Sequence, residues 1–299
     1  MRSLVRRSFF VALVAVSAGA GLLACLEDFK VLAPTADSGT PGVDSSISPV
    51  PEAGPGIDSA TPDASVDADA GRPPTHCDSV VAPAGSADFF CADFDSMLLA
   101  KGWDSVGRTD GGTADQTNVV AVSPPFSFLS NVQGFGAQAT LNWAKTGAKA
   151  FSEATAIFHI NPSQLGGVAP ASPGTVELVE ITTNNALVSF GFSRGSSMID
   201  GSPYYGYYIA NAAFGGAAAL VNYKITSAQL VVDVWTEVKL SWLANGHFDV
   251  SYNGISVLSQ AGFDSNATKV SFRVGAYANG NAQVIPAARL DDVELSIRR

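Results

Sequence analysis

Positive charge is scarce in this 299-residue sequence. It has 17 Lys and Arg against 27 Asp and Glu, which gives a formal net charge of −10 at pH 7. A protein that binds nucleic acid needs a basic patch to displace counterions from the phosphates. We therefore expect no nucleic-acid partner.

Long hydrophobic runs are equally scarce, and the clear example spans residues 9–24, directly after an arginine-rich start. This run is shorter than the ~20 residues that cross a membrane comfortably. It ends in LLAC at residues 22–25, which resembles the lipobox of bacterial lipoproteins. The resemblance implies that residues 1–24 are a cleaved signal peptide and that Cys25 is acylated and anchored in a membrane. An ordinary secretory signal or a signal anchor is the alternative.

The same resemblance bears on location. In enteric bacteria an Asp after the acylated Cys holds a lipoprotein in the inner membrane, and here the next residue is Leu26. We therefore expect a lipid-anchored protein of the cell envelope, with the outer membrane favoured over the inner.

Aromatic residues are almost missing from residues 27–74, where Phe29 stands alone among Pro, Ser, Gly, Ala, Thr and Asp. The segment has nine acidic residues and two basic ones, Lys30 and Arg72, so its net charge is −7. Such a composition buries too little apolar area to offset the entropy of ordering. We predict a disordered linker over residues 25–75. Its Asp-rich stretch lacks the Gly and the final Glu of a calcium loop.

Cysteine is also scarce, with three copies in the chain. If Cys25 carries lipid, Cys77 and Cys91 remain, and two cysteines in an exported domain indicate a disulfide. The alternative is a pair of free thiols, or metal ligands together with the nearby His76.

Helical periodicity is nearly absent from residues 76–299, apart from a turn or two near Asp95. Short alternating runs recur instead, separated by Gly and Asn turns, and they include QATLNWA, ATAIFHI, TVELVEITT, ALVSFGFS and LVVDVW. Many short strands at this spacing are typical of an all-β sandwich or barrel.

The last 65 or so residues show the pattern best. WTEVKLSWL and HFDVSYNGISVL alternate apolar and polar residues, with Asn-Gly between these runs and again inside the second. Asn-Gly is the strongest short signal for an antiparallel hairpin. On the first strand we expect Trp235, Val238, Leu240 and Trp242 to face the core. We further predict that Trp235 lies buried between two sheets, against Leu290, Val293 or Leu295.

Several of these segments resemble the laminin-G-like branch of the concanavalin A-like lectin/glucanase superfamily. They are DFFCADFDS, the Gly102-Trp103 pair, AVSPPFSFLS, the strand running into Val-Gly, and the terminal LDDVELS. The resemblance implies an antiparallel jelly-roll β-sandwich over residues 76–299, preceded by the disordered tether.

Enzymes of that superfamily cleave polysaccharides with carboxylates on one strand, so acidic pairs are the first catalytic candidates. Glu177 and Glu180 are three residues apart, which on a regular strand places them on opposite faces. His76, His159 and His247 are far apart in sequence, and no ordered Ser-Asp-His set is present. We predict no catalytic residue and no enzymatic activity.

The resemblance also implies a structural Ca²⁺ where the first and last strands pair. Its ligands would be Asp93, Asp95, Asp291 and Asp292, since Ca²⁺ prefers hard oxygen donors. The alternative is that these are ordinary strand-edge and turn residues. We expect no other cofactor.

A tyrosine cluster gives the best indication of a binding surface. On a strand, Tyr205 and Tyr207 share one face, and Tyr204 and Tyr208 share the other. Tyr rings stack on sugars and anchor protein partners. The alternative is that one face is core and the other shields the sheet.

These features favour a cell-envelope lipoprotein that displays a non-catalytic, lectin-like domain for binding carbohydrate or a surface protein. The first alternative is a glycoside hydrolase or lyase on the same fold. The second is a structural envelope protein with no small ligand.

Overall fold

The computed structural model describes residues 74–96, 98–162, 174–196, 201–214, 219–279 and 288–299. Cys25 and nearly all of the predicted linker lie outside these residues. The described chain forms one short helix and fifteen strands, which are α1 (His76–Ser79), β1 (Ser86–Ala92), β2 (Ser105–Arg108), β3 (Gly112–Thr117), β4 (Ser127–Val132), β5 (Gln138–Thr146), β6 (Glu153–Asn161), β7 (Gly174–Thr182), β8 (Ala186–Ser196), β9 (Tyr204–Ala213), β10 (Ala219–Lys224), β11 (Thr236–Leu243), β12 (His247–Tyr252), β13 (Ile255–Ala261), β14 (Lys269–Asn279) and β15 (Ala288–Arg298).

The strands form two antiparallel sheets. One sheet has the order β13-β12-β11-β6-β15-β4-β3, and β1 also pairs with β15 to give eight strands. The other has seven strands in the order β10-β9-β8-β7-β14-β5-β2. The predicted all-β sandwich is confirmed. Among the described residues, no helix has the length and apolar character needed to span a membrane.

One continuous core lies between the two sheets, and β11 shows how the sequence pattern builds it. Val238, Leu240 and Trp242 have no exposed surface, as their alternation predicts. Aromatic rings link the layers, with Phe158 of β6 lying 5.9 Å from Phe190 of β8 between ring centroids. The burial of these large side chains supplies most of the driving force for folding.

The prediction for Trp235 is wrong. This residue precedes β11 and is only partly buried, and it does not belong to the core cluster that contains Leu290 and Val293. Alternation explains the error, because Trp235 is an odd number of residues from Val238 and so has the opposite phase. Thr236 takes the inward position instead and is buried.

Both predicted Asn-Gly hairpins form, but with different turns. Asn253 and Gly254 have φ values of 48° and 76°, as a two-residue primed turn requires. At the first hairpin only Gly246 has a positive φ, 87°, and its N–H donates to the carbonyl of Leu243 at 2.9 Å. That connection is therefore longer than the Asn-Gly pair implies.

The run LVVDVW is not a strand, contrary to expectation. Leu230 is buried, but Val231, Val232 and Val234 are exposed in a turn closed by the Val234 N–H and the Val231 carbonyl at 3.2 Å. Asp233 has φ 61°. A single inward residue does not hold a strand against a sheet, whatever its β propensity.

The first and last strands pair, as expected for a jelly roll, and a disulfide lies beside them. Ala92 of β1 is opposite Val293 of β15. Cys77, in α1, is bonded to Cys91 of β1, with 5.7 Å between the Cα atoms. The predicted disulfide is present, and it fastens α1 to the closing strands of the domain.

Candidate functional site

The outer face of the seven-stranded sheet carries a row of polar side chains across its central strands. In the ladder, Gln138 of β5 is opposite Tyr277 of β14, and Tyr277 is opposite Glu177 of β7. In a neighbouring row Arg273 of β14 lies between Asn142 and Glu180. We call Arg273, Glu177, Glu180 and Tyr277 the central cluster.

A β-bulge at Leu178 creates this cluster. Glu177 pairs with Gly191 and Val179 pairs with the adjacent Phe190, so Leu178 is an extra residue on β7. Leu178 and Val179 are both buried in the core. Because the extra residue interrupts the alternation of side chains along β7, Glu177 and Glu180 lie on the same face of the sheet. The expectation that they lie on opposite faces is wrong.

Arg273 holds both glutamates through one guanidinium nitrogen. Its Nη2 donates to Glu177 Oε2 at 2.6 Å and to Glu180 Oε2 at 2.8 Å. The three side chains are only 21%, 11% and 12% exposed, respectively. Burial alone would lower the pKa of Arg273, but the carboxylates of Glu180 and Glu177 outweigh it and raise the pKa above its usual value. The ion pairs are therefore well shielded and hold each other in a defined geometry.

Tyr277 completes the central cluster, because the Arg273 guanidinium lies 4.4 Å from the centre of its ring. A cation over an aromatic face is attracted to the ring quadrupole. Sequence reasoning missed both residues. An Arg placed between the apolar Phe272 and Val274 was the available signal, since it must point out of the core.

Tyr208 extends the row on the other side but is almost fully buried. It is opposite Gly191, where a Cβ atom would stand 2.9 Å from the Tyr208 ring. Burial, with a smaller contribution from the negative charge of Glu177, raises the pKa of Tyr208, while a hydrogen bond with Thr175 opposes this. Tyr208 thus supports the central cluster from below rather than offering its own ring to a ligand.

The structure separates the four tyrosines predicted to bind ligand. Tyr207 lies in the core and stacks on Phe190, with ring centroids 5.4 Å apart. Tyr204 packs beside Tyr208, as the alternation predicts, and donates its hydroxyl to the Tyr207 carbonyl at 2.8 Å. Tyr205 is 70% exposed. Only Tyr204 and Tyr205 therefore have appreciable accessible surface, and ligand binding by them stays a prediction.

Asp291, one of the predicted calcium ligands, is fully buried at the other sheet. Its Oδ2 accepts the N–H groups of Val122 at 2.8 Å and Ser123 at 3.2 Å. Burial, followed by the neighbouring Asp292, raises the pKa of Asp291 to about 8, although the N–H donors oppose this shift. Burial therefore favours the protonated form of this carboxyl more than water does.

Asp292 adjoins two histidines. The Ser123 hydroxyl donates to its Oδ1 at 2.5 Å, and its Oδ2 lies 3.8 Å from the Nδ1 atoms of both His76 and His159. His76 also contacts Glu294 at 2.9 Å. These contacts join α1, β6 and β15.

Asp93 and Asp95 lie at the end of β1, close to the disulfide. Asp93 accepts the N–H of Cys77 at 3.3 Å and of Asp95 at 3.2 Å, and Asp95 accepts the N–H of Phe126 at 3.4 Å. Among the described residues, no three His, Cys, Asp or Glu side chains are arranged to hold a metal ion. Calcium binding at the four aspartates stays a prediction.

His247 offers no proton relay. Its Nε2 lies 3.1 Å from the Ser259 hydroxyl and 3.3 Å from Asp249 Oδ1. A relay needs the base and the orienting carboxylate on different ring nitrogens, so this group is an exposed polar contact on β12 and β13.

Comparison with known proteins identifies a fold and no family. No family model matches the chain, and no curated protein matches it. Among solved structures, the chain is similar to the endo-β-1,4-glucuronan lyase from the fungus Trichoderma reesei, with 14% identity and a TM-score of 0.52 over 71% of this chain and 95% of that one. At this identity the similarity shows the jelly-roll fold alone.

Two further structures are similar at lower scores. Cellulose-induced protein Cip1 is 12% identical, with a TM-score of 0.44 over 69% of this chain and 96% of that one. The binding domain of botulinum neurotoxin serotype D is 11% identical, with a TM-score of 0.45 over 72% of this chain and 48% of that one.

Proposed function

We propose that the outer face of the seven-stranded sheet binds a polysaccharide through the central cluster. The observation that carries this proposal is the Arg273 guanidinium held by Glu177 and Glu180 on a partly accessible sheet face. Ion pairs that fix one another give preorganised donors and acceptors, which reduces the entropy lost on binding.

The neighbouring side chains suit a sugar ligand. Gln138 and Asn142 are partly exposed on β5, next to Tyr277 and Arg273, and their amides both donate and accept. Sugar hydroxyls need both kinds of partner, and a flat phenol ring suits the apolar face of a pyranose. The fold shared with a glucuronan lyase supports a carbohydrate ligand.

Binding without cleavage is the form of this function that we favour. Hydrolysis by a carboxylate pair needs one group to act as the acid and the other as nucleophile or base. Here one guanidinium engages Glu177 and Glu180 together. That arrangement serves recognition better than proton transfer.

The test is affinity measurement against a panel of neutral and acidic polysaccharides. Gln138→Ala and Tyr277→Ala should each weaken binding at least about tenfold, as loss of a well-placed contact does. Lys239→Ala, an exposed site on the eight-stranded sheet, is the matched control and should bind normally. No binding by the parent protein would refute the proposal and favour a structural envelope protein.

A polysaccharide lyase is the second candidate, and the position of Tyr277 beneath Arg273 favours it. Such an enzyme removes the proton on the carbon next to a uronate carboxylate. The C–O bond to the neighbouring sugar then breaks, the departing oxygen takes up a proton from the protonated base, and a carbon–carbon double bond remains in the uronate. Tyr277 would be the base and Arg273 the group facing the carboxylate. Ultraviolet absorbance from unsaturated product, lost in Tyr277→Phe, would establish this activity; its absence on all acidic substrates would exclude it.

For location, we propose an exported lipoprotein acylated at Cys25 and held in the cell envelope, with the outer membrane favoured. The support is the LLAC sequence after the apolar run. Cys25→Ser should release the protein from membranes or leave it unprocessed. A mature N-terminus elsewhere, with unchanged membrane association, would refute it.

A further inference from the structure

Four exposed apolar side chains lie in two neighbouring turns at one end of the sandwich. Val231, Val232 and Val234 of the β10–β11 connection are 61%, 46% and 49% exposed, and Ile255 at the β12–β13 turn is 71% exposed. Single exposed apolar residues are common. Four of them in neighbouring turns form a candidate interaction surface. We call these residues and Trp235 the apolar tip.

Hydrogen bonds hold the two turns beside each other. The Asn253 N–H donates to the Glu237 carbonyl at 2.9 Å, and the Glu237 N–H donates to Asn253 Oδ1 at 3.0 Å. The Ser227 hydroxyl donates to the Val257 carbonyl at 2.8 Å. Since both turns are bonded to the same strands, the apolar tip is a defined surface of the fold.

The exposure of Trp235 supports the apolar tip as an interaction surface. Trp103, Trp143 and Trp242 are buried, whereas Trp235 is only partly buried. Trp is enriched at membrane–water interfaces, where its ring is partly exposed beside apolar side chains.

The charges near the apolar tip indicate which kind of lipid surface it would contact. From residue 225 to residue 238 the chain has Asp233 and Glu237 and neither Lys nor Arg. A surface that bound anionic lipid would carry basic residues. A zwitterionic lipid interface, reached by apolar insertion, fits this composition.

The point where the described chain begins lies at the same end. Thr236 is opposite Ile160, and Glu237 is opposite His159. His159 and His76 of α1 both approach Asp292. α1 is thus close to the start of β11, and the sequence before it contains the apolar run that we expect to precede a lipid anchor.

We propose that the apolar tip is a lipid-docking surface, which inserts its valines, Ile255 and Trp235 into the interface of a zwitterionic bilayer. Docking there would add a second membrane contact to a single lipidated residue. This inference does not depend on polysaccharide binding, which we assign to the other sheet.

Tryptophan fluorescence tests the proposal on the full-length chain. The protein is mixed with phosphatidylcholine vesicles, with and without brominated acyl chains that quench nearby indoles. We expect quenching in the parent protein and its loss in Trp235→Phe, because the other three Trp are already buried. The readout is specific to the apolar tip even if the N-terminal apolar run also binds the vesicles.

Substitutions separate this surface from other apolar ones. Val232→Asp with Ile255→Asp should weaken tip-dependent quenching at least about tenfold, because two inserted side chains become charged. Leu220→Asp, at another exposed apolar position, is the matched control and should quench normally. Each variant should melt at the temperature of the parent, since the replaced side chains lie in solvent.

Three results would overturn the proposal. The first is equal fluorescence with and without bromine in the parent. The second is quenching that appears only with anionic vesicles. The third is a concentration-dependent dimer that disappears in the double variant while no vesicle quenches Trp235, which would make the apolar tip a self-association surface.

Discussion

Two carboxylate pairs in this molecule sit at irregularities of strands, and they are stabilised in different ways. Glu177 and Glu180 flank the bulge of β7, and Asp291 and Asp292 lie where β15 shifts register against β6. The first pair faces a cation, Arg273. In the second pair, Asp291 faces backbone N–H groups and its own neighbour.

This difference in partners indicates a role in ligand recognition for the glutamates and a structural role for Asp291. The glutamates lie with Arg273 on a partly accessible face, where a ligand can reach all three side chains. Asp291 is fully buried with a raised pKa, so its role is to bind the segment around Val122 to the closing strand. A carboxyl group therefore serves a different purpose at each site, depending on whether a cation or backbone N–H groups lie beside it.

Replacing Arg273 should have the largest effect. In Arg273→Met both glutamates lose their partner while remaining largely buried, and breaking such a pair destabilises a protein by roughly 3–5 kcal/mol. Chemical denaturation measures the loss. Arg298→Met is the control, because its bond to Glu153 involves a 44% exposed side chain and should contribute little. A loss equal to that of the control would mean the ion pairs are not shielded.

Removing the disulfide should affect the region around Asp291 and Asp292. Cys77→Ser with Cys91→Ser opens a 14-residue loop, and the chain-entropy model assigns such a loop about 3 kcal/mol. It also frees α1, whose His76 contacts Asp292 and Glu294. We expect a lower melting temperature with the fold retained. Two free thiols in exported wild-type protein would contradict the assignment.

The pH dependence of stability should report Asp291 directly. Its pKa is raised to about 8 in the folded protein, against roughly 3.9 in an unfolded chain. Between these values the folded state binds the extra proton, so stability falls as pH rises, by at most about 1.4 kcal/mol per pH unit. Asp291→Asn should flatten this slope. An unchanged slope in Asp291→Asn would show that another group causes it.

Calcium gives that experiment a second arm. If Ca²⁺ binds at Asp291 and Asp292 as predicted, the ion replaces the proton, so added calcium should raise the melting temperature most at high pH. Identical melting curves with calcium and with a chelator would refute the predicted site.

Removing one carboxylate of the first pair should have the smallest effect. In Glu180→Gln, Arg273 keeps Glu177, and only one charge-assisted contact is weakened, which we expect to be worth about 1 kcal/mol. Glu177→Gln should behave alike if the two share the cation evenly. A loss as large as that of Arg273→Met would show that the glutamates do not substitute for one another.

Sequence reasoning succeeded where one strand decides the answer. The alternation of Val238, Leu240 and Trp242 predicted the buried face of β11, and Asn253-Gly254 predicted a hairpin. It failed for Trp235, where a side chain was assigned to a strand that begins one residue later. It also failed for LVVDVW, where β-branched residues occupy a turn because no neighbouring strand pairs with them.

The amino-acid sequence by itself determined the all-β class, the antiparallel hairpins, the pairing of Cys77 with Cys91 and the acidic character of the chain, since each depends on local pattern or composition. Only the tertiary structure decided the central cluster. The bulge at Leu178 exists because β7 pairs with β8 and β14 at once and two apolar residues in succession fill the core. The bulge places Glu180 on the same face as Glu177. Arg273 contacts both from a strand almost a hundred residues away in sequence. Contacts between distant strands are set by the packing of whole sheets, which no single run of residues specifies.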